Sequence, residues 1–248
     1  MLKETIQIAK EAGEILMSYY GNSKTEFKNE NFDATSLVSE ADRKSEELIL
    51  SKLKEKFPEH GIYSEEAGWD KEKSDYTWYI DPLDGTTNFL RNIPLWGVSM
   101  GLLYKDEPIL GVLHFPTLNL TVSAEKGKGA YANDKEIHVS KKSLKESLYY
   151  SGGIFKGIPN LNKEIADKTG LLKIIDASCY ELAQIAMGDA ELYELINAAH
   201  DVAAGIIIVE EAGGKATDGE GSKWTPDSKH VVISNGVIHE EVINILKK

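Results

Sequence analysis

The stretch WYIDPLDGTTNF, residues 78–89, ends an apolar run in two carboxylates three positions apart, with a proline between them and a glycine and two threonines behind. Pro82 fixes its own φ and restricts Asp81 before it, so Asp81 is expected at the end of extended chain, with a sharp turn through Leu83 and Asp84. Two carboxylates then converge from one short turn. Hard cations between them relieve their repulsion, and an all-oxygen donor set suits Mg²⁺ or Mn²⁺. Gly85 permits close backbone approach, and the amides of Gly85 and Thr86 would face an anion if a helix begins there. Acids followed by amides suit a metal-bridged phosphate; for this stretch alone, an Asp-rich capping turn without a ligand is the alternative.

Working outward, TWYI, WGVSMGLLY, ILGVLHF and LTVSAE are short β-rich runs separated by turn formers. EKGKGAYANDKEIHV reads as a further strand pair, with turns at 127–129 and at Asn133-Asp134. Toward the N-terminus, Leu2, Ile6, Ala9, Ala12, Leu16 and Tyr19 recur at helical spacing and Gly21 follows as a stop. Residues 22–38 are polar and aperiodic and are expected to form an exposed loop. A second helix is expected from near Ser39 to Phe57, before Pro58. Beyond residue 146, CYELAQIAMGDAELYELI passes from helix to strand after Gly188, and AHDVAAGIIIVEEAGG is a helix stopped by Gly-Gly. HVVISNG is a strand and EEVINILKK a closing helix. The alternation predicts an α/β sandwich, taken as one domain of residues 1–248 with sub-halves of 1–145 and 146–248 sharing the site.

Length and composition allow a sizeable core: 248 residues, 42% hydrophobic and 27% charged. The 28 basic and 40 acidic side chains give a net charge of −12. That argues against a broad nucleic-acid footprint or attraction to anionic membranes. It argues against an anionic substrate too, unless bound cations invert the local charge. Cys179 is the single cysteine, which rules out an intrachain disulfide and a thiolate zinc cluster. No His is placed by local sequence to activate it, so it reads as a buried structural residue. Lys3, Glu4, Lys10, Glu11 and Glu14 break any apolar run at the N-terminus, so a cytoplasmic location is expected.

Three other stretches offer acids. YSEEAG ends an expected strand with Glu65 and Glu66 adjacent, and a strand would send them to opposite faces. VSEAD offers Asp42, and AHDVAAG offers Asp201 at an expected helix start, where the helix dipole favours a carboxylate. Each taken alone also reads as a cap or a solvated acid.

Taken in order along nearly the whole chain, VSEAD, SEEAG, DPLDGTTNF and HDVAAGIIIVEEAGG resemble the inositol monophosphatase family. This family lies within the Mg²⁺-dependent, lithium-sensitive sugar phosphatases, which include archaeal-type fructose-1,6-bisphosphatases. The resemblance implies a five-layered α-β-α-β-α sandwich and a cytoplasmic homodimer, with a small phosphorylated substrate and neither nucleic acid nor membrane as partner. Glu65, Asp81 and the Leu83 carbonyl match the family's first metal site, and Asp81, Asp84 and Asp201 the second. Asp42 with Glu65 would serve a third, weaker site and orient the attacking water. Two to three Mg²⁺ are thus implied, with Mn²⁺ as a substitute. Thr86 matches the threonine that hydrogen-bonds this water, so Glu65, Thr86 and Asp42 are the expected catalytic residues. The Gly85–Thr86 amides match the phosphate cradle, and Asp84 and Asp201 are expected to contact substrate as well as metal. Glu194 matches a contact to substrate hydroxyls, and Ser178 reads equally as pocket lining or helix packing.

The implied reaction is hydrolysis of inositol monophosphate or a related sugar phosphate by direct attack of a metal-activated water, without a phosphoenzyme. Fructose 1,6-bisphosphate, histidinol phosphate and 3′-phosphoadenosine 5′-phosphate are alternative substrates, and a catalytically silent metal-binding scaffold is the remote alternative. Three positions depart from the pattern or align loosely with it. His200 stands where the family has Trp, Ser36 where it often has Asp, and Lys28 is assigned as the basic loop residue. The glycine groups GKG at 127 and SGG at 151 lack a P-loop tail and read as turns.

Overall fold

The computed structural model describes residues 1–21, 26–27, 37–38, 40–72, 74–152, 161–196 and 199–248. In chain order the first half runs α1 (Leu2–Tyr19), β1 (Glu26–Phe27), β2 (Leu37–Val38), α2 (Glu40–Lys56), β3 (Gly61–Ser64), β4 (Gly68–Lys71), β5 (Tyr76–Asp84), α3 (Thr86–Leu90), β6 (Gly97–Tyr104), β7 (Glu107–Phe115), β8 (Leu120–Glu125), β9 (Ala130–Ala132) and β10 (Lys135–Ile137). The second half runs β11 (Leu148–Ser151), α4 (Leu161–Ala166), β12 (Leu171–Lys173), α5 (Ser178–Ala186), β13 (Leu192–Ile196), α6 (Ala199–Glu211), β14 (Lys215–Asp218), β15 (His230–Ser234) and α7 (His239–Leu246).

Two sheets carry the fold. An eight-stranded sheet has the order β10-β9-β8-β7-β6-β5-β3-β4, and a five-stranded sheet the order β12-β11-β13-β15-β14. Short connections make the first sheet antiparallel except for the β3–β5 pair. Three apolar clusters fill the spaces between five layers. Ile8, Leu16, Ile49 and Leu53 of α1 and α2 pack on Trp78, Ile80 and Met100 of the large sheet. The other face of that sheet meets α5 and α6, which also cover the small sheet through Tyr193, Val231 and Ile233. Ile165 of α4 and Val242 and Ile243 of α7 close the outer face with Tyr149, Leu192 and Val232. The result is the α-β-α-β-α sandwich.

The central helix approaches the large sheet closely because two glycines face each other beneath it. Gly101 of β6 pairs with Gly111 of β7. A Cβ on Gly101 would lie 2.7 Å from the Ala204 nitrogen, and one on Gly111 would collide with the Ala204 carbonyl. Their bare backbones therefore set the height of α6, and with it the position of Asp201 in its first turn.

Three local expectations are corrected. The polar segment 22–38 contains a two-strand antiparallel pair, with Glu26 opposite Val38 and Phe27 opposite Leu37, which its composition does not reveal. Asp81 does not end its strand. β5 continues to Asp84, and its register against β6 jumps from Asp81–Ser99 to Asp84–Gly97, so Pro82 and Leu83 occupy a bulge. Glu65 and Glu66 lie in the turn after β3, not on opposite faces of a strand. The expected helix start at Ser39, the basic loop residue Lys28 and the departure at Ser36 lie outside the described residues. Gly127 to Gly129 do form a turn, whereas Ser151 ends β11.

Candidate active site

The bulge in β5 and the first turn of α6 bring acids from distant parts of the chain together. Asp81, Asp84 and Asp201 each present a carboxylate oxygen, all within 4.8 Å of one another. Asp81 and Asp84 are 1% and 6% exposed. Glu65 reaches Asp81 from the turn after β3, its own N–H donating to Ile80 O at 3.0 Å and its carboxyl hydrogen-bonding Asp81.

The polar groups of the bulge are committed locally. The Leu83 N–H donates to Asp81 Oδ1 at 3.0 Å, and Thr86 Oγ1 lies 3.0 Å from Leu83 O and 3.3 Å from Asp42 Oδ1. Gly85 adopts φ +82°, and a Cβ there would lie 2.9 Å from Leu95 O, so the turn into α3 requires glycine. A helix begins immediately behind the acids, which meets the condition for the Gly85 and Thr86 amides to face an anion.

The second half of the chain anchors Asp84. Its Oδ1 accepts the Ser178 N–H at 3.1 Å and its Oδ2 the Cys179 N–H at 2.7 Å, at the start of α5. Cys179 is fully buried and contributes its backbone N–H to Asp84. The Ser178 hydroxyl lies 2.6 Å from the Tyr193 hydroxyl.

Electrostatics set the cost of this arrangement. Burial, followed by the charges of Glu65, Asp84 and Asp201, pushes the Asp81 carboxyl well above the usual carboxylate range. Burial pushes Asp84 up to about 6, outweighing the Cys179 and Ser178 donors that pull it down. A divalent cation would remove that cost, and the donor set consists of hard carboxylate oxygens. The residues present therefore fit a metal site.

Two further residues singled out in the sequence have defined partners. Glu194 is 3% exposed, its Oε2 accepting the Tyr149 hydroxyl at 2.6 Å and its Oε1 lying 2.8 Å from His230 Nε2. Tyr149 and His230 therefore engage both oxygens of the proposed substrate contact. His200 Nε2 lies 3.4 Å from Asp201 Oδ1, and its ring stacks on Tyr63 at 6.0 Å, packed beside the acids.

Sequence reasoning missed the residues that hold these groups in place. Asn88 donates to Leu95 O and to Ile175 O, both at 2.9 Å, tying α3 to the loop before α5. From α2, Ser45 grips the acid-bearing bulge of β5 and Glu46 the acid-bearing turn after β3. Their one sequence signal is spacing, three and four residues after Asp42.

The sequence model of the inositol monophosphatase family matches residues 1–248. The chain belongs to that family. Within it, the chain is 33% identical over 252 residues to the fructose-1,6-bisphosphatase/inositol-1-monophosphatase of Thermotoga maritima, covering 98% of this chain and 94% of that protein. It is likewise 33% identical to the Nus factor SuhB of Pseudomonas aeruginosa, over 95% of this chain and 91% of the relative. The solved structure of a Thermotoga maritima IMPase superposes with a TM-score of 0.90 at 33% identity, covering 99% of this chain and 96% of the other. As an inositol monophosphatase family phosphatase, the chain is a phosphoric monoester hydrolase. Among the described residues no helix is long and apolar enough to cross a membrane.

Proposed function

We propose that this family member is a Mg²⁺-dependent phosphatase of inositol monophosphate or a related sugar phosphate, acting by direct attack of water. The observation that carries the reading is the convergence of Asp81, Asp84 and Asp201 within 4.8 Å, directly ahead of the turn at Gly85. Asp81, Asp84 and Asp201 would hold one cation, and Glu65, Asp81 and the Leu83 carbonyl a second, with Asp42 and Glu65 serving a third, weaker one. Bound there, divalent cations supply charge stabilisation at the phosphoryl oxygens and activation of the attacking water.

The chain's own groups orient the reactants. The single proton of the Thr86 hydroxyl is directed to Leu83 O or Asp42 Oδ1, which leaves its lone pairs to accept a hydrogen bond from water. Asp42, buried at 1% exposure, fixes that polarity. The Gly85 and Thr86 amides, at the start of α3, would face the phosphate. Ser178 would line the pocket beside Asp84. Glu194 would meet a substrate hydroxyl with a remaining lone pair of an oxygen that already engages Tyr149 or His230.

Fructose 1,6-bisphosphate is the second substrate to test, because the Thermotoga relative carries both activities in its name. Homodimerisation belongs to the same reading, supported by the exposed apolar run Leu171, Leu172 and Ile174 at the β12 edge of the small sheet. The deciding experiment is phosphate release from inositol 1-phosphate, fructose 1,6-bisphosphate, histidinol phosphate and 3′-phosphoadenosine 5′-phosphate, with Mg²⁺ and with chelator. Mg²⁺-dependent release from a sugar phosphate supports the reading, and equal release in chelator overturns it.

A further inference from the structure

Helix α2 reaches three segments of the site with three side chains at i, i+3 and i+4. Asp42 Oδ1 lies 3.3 Å from the Thr86 hydroxyl, Ser45 Oγ donates to Pro82 O at 2.8 Å, and Glu46 Oε1 accepts the Ala67 N–H at 3.0 Å. The first contact belongs to the site already described. The other two touch backbone, at the β5 bulge and at the turn after β3 that carry the acids.

The Pro82 carbonyl belongs to the bulge, outside the Cα pairs that β5 forms with β6. Pro82 is buried, and it lies where the β5 register skips from Asp81 to Asp84. A buried carbonyl needs a donor, and the fully buried Ser45 supplies one. The peptide joining Pro82 to Leu83 is thus fixed on both sides, by Ser45 at its oxygen and by Asp81 at its nitrogen. That one peptide sets the separation of Asp81 from Asp84 and precedes the Leu83 carbonyl. Glu46 does the equivalent for Glu65, because Ala67 closes the turn in which Glu65 stands.

We infer that Ser45 and Glu46 are positioning residues for the cation site: α2 holds the acid-bearing bulge and the acid-bearing turn in register through side-chain hydrogen bonds to their backbone, and cation affinity depends on them. This rests on the reading that the acids bind divalent cations. Removing such a support weakens the site without removing a donor, so the loss is recovered at saturating cation.

The test uses the full chain with Ser45→Ala, Ser45→Thr, Glu46→Ala and Glu46→Gln. Calorimetric titration with Mg²⁺ and with Mn²⁺ is paired with the Mg²⁺ dependence of turnover. Ser45→Ala and Glu46→Ala are expected to raise both the dissociation constant and the half-activating Mg²⁺ concentration about tenfold, with kcat at saturating Mg²⁺ within about twofold of wild type. Ser45→Thr keeps the hydroxyl and Glu46→Gln keeps the acceptor, and both are expected to restore affinity. Glu46 is only half-buried, so its pair carries the test if Ser45→Ala does not fold. Alanine variants that lose thermal stability but bind cation like wild type would overturn the inference alone. A folded wild type that binds neither cation would overturn it together with the cation reading.

Discussion

Asp84 accepts the backbone N–H of Cys179 at 2.7 Å, across 95 positions of sequence, and so joins the bulged strand of the large sheet to the first turn of α5. The carboxylate that belongs to the acidic cluster is therefore also the anchor of a helix from the other half of the chain. Substituting it tests both roles. Asp84→Asn is expected to lower turnover by at least about 100-fold, since it removes a charged oxygen donor. The amide keeps one acceptor for the α5 amides and turns its own NH₂ toward the other, while repulsion from Glu65 disappears. These effects oppose each other, so stability should change by only about 1 kcal/mol. Phosphate release and urea midpoints check both parts; near-wild-type turnover would remove Asp84 from the cation site.

Asp81→Asn isolates the charge cost more cleanly, because its amide oxygen can still accept the Leu83 N–H. A carboxyl whose folded pKa is raised stabilises the fold below its unfolded value, near 3.9, and that contribution is lost as pH rises through the folded pKa. In chelator the wild type should therefore lose stability from about pH 4 upward. Asp81→Asn should overtake it at pH 8, by about 1.4 kcal/mol for each tenfold rise in proton affinity that folding imposes on the wild-type carboxyl. Added Mg²⁺ should raise the wild-type melting temperature and leave the variant nearly unmoved. Melting curves at pH 5 and pH 8, with and without Mg²⁺, decide the matter, and a variant less stable than wild type at pH 8 in chelator contradicts the argument.

Two buried histidines act in the opposite sense. Burial pushes His114 and His239 down to about 4. Their neutral forms are favoured in the fold, so their full contribution is present above pH 6.5 and is lost as pH falls from 6.5 toward 4. His114→Asn can keep the contact to Thr121, which lies 2.9 Å from Nδ1. The gap between variant and wild type should therefore narrow by about 1 kcal/mol from pH 7 to pH 5, after allowing for partial solvent contact. Denaturant midpoints at the two pH values measure it; a constant gap would mean that His114 does not titrate in this window.

Gly111→Ala should destabilise the protein by about 1–3 kcal/mol, because its Cβ meets the Ala204 carbonyl with no flexible side chain to yield. Lifting α6 also displaces Asp201, so cation affinity should fall along with the melting temperature. Calorimetric Mg²⁺ titration of the folded variant separates the two effects, and wild-type affinity would show that the height of α6 does not govern Asp201.

Much of the fold was legible wherever the periodicity was sustained. α1 covers the helical spacing read from Leu2 to Tyr19, and β6, β7 and β8 cover the apolar runs divided by turn formers. The three-residue strands β9 and β10 were found because glycines and Asn133-Asp134 bracket them. β11, β12 and β14 were not, because three or four residues show no reliable period and pair only with distant partners. The bulge was missed for a related reason. Pro82 signals a break, but continuation to Asp84 depends on the facing strand β6.

By itself the sequence determined the helices and strands with long periods, the acids Asp81, Asp84, Asp201, Glu65 and Asp42 as candidates, and Gly85 as a turn, because spacing and backbone sterics are local properties. Tertiary structure alone decided which of these acids meet, that Cys179 and Ser178 anchor Asp84, that Ser45 and Glu46 brace the acid-bearing bulge and turn, and that Tyr149 and His230 engage Glu194. Those pairings join segments 20 or more positions apart. They arise from the layering of two sheets around α5 and α6, which no local pattern encodes.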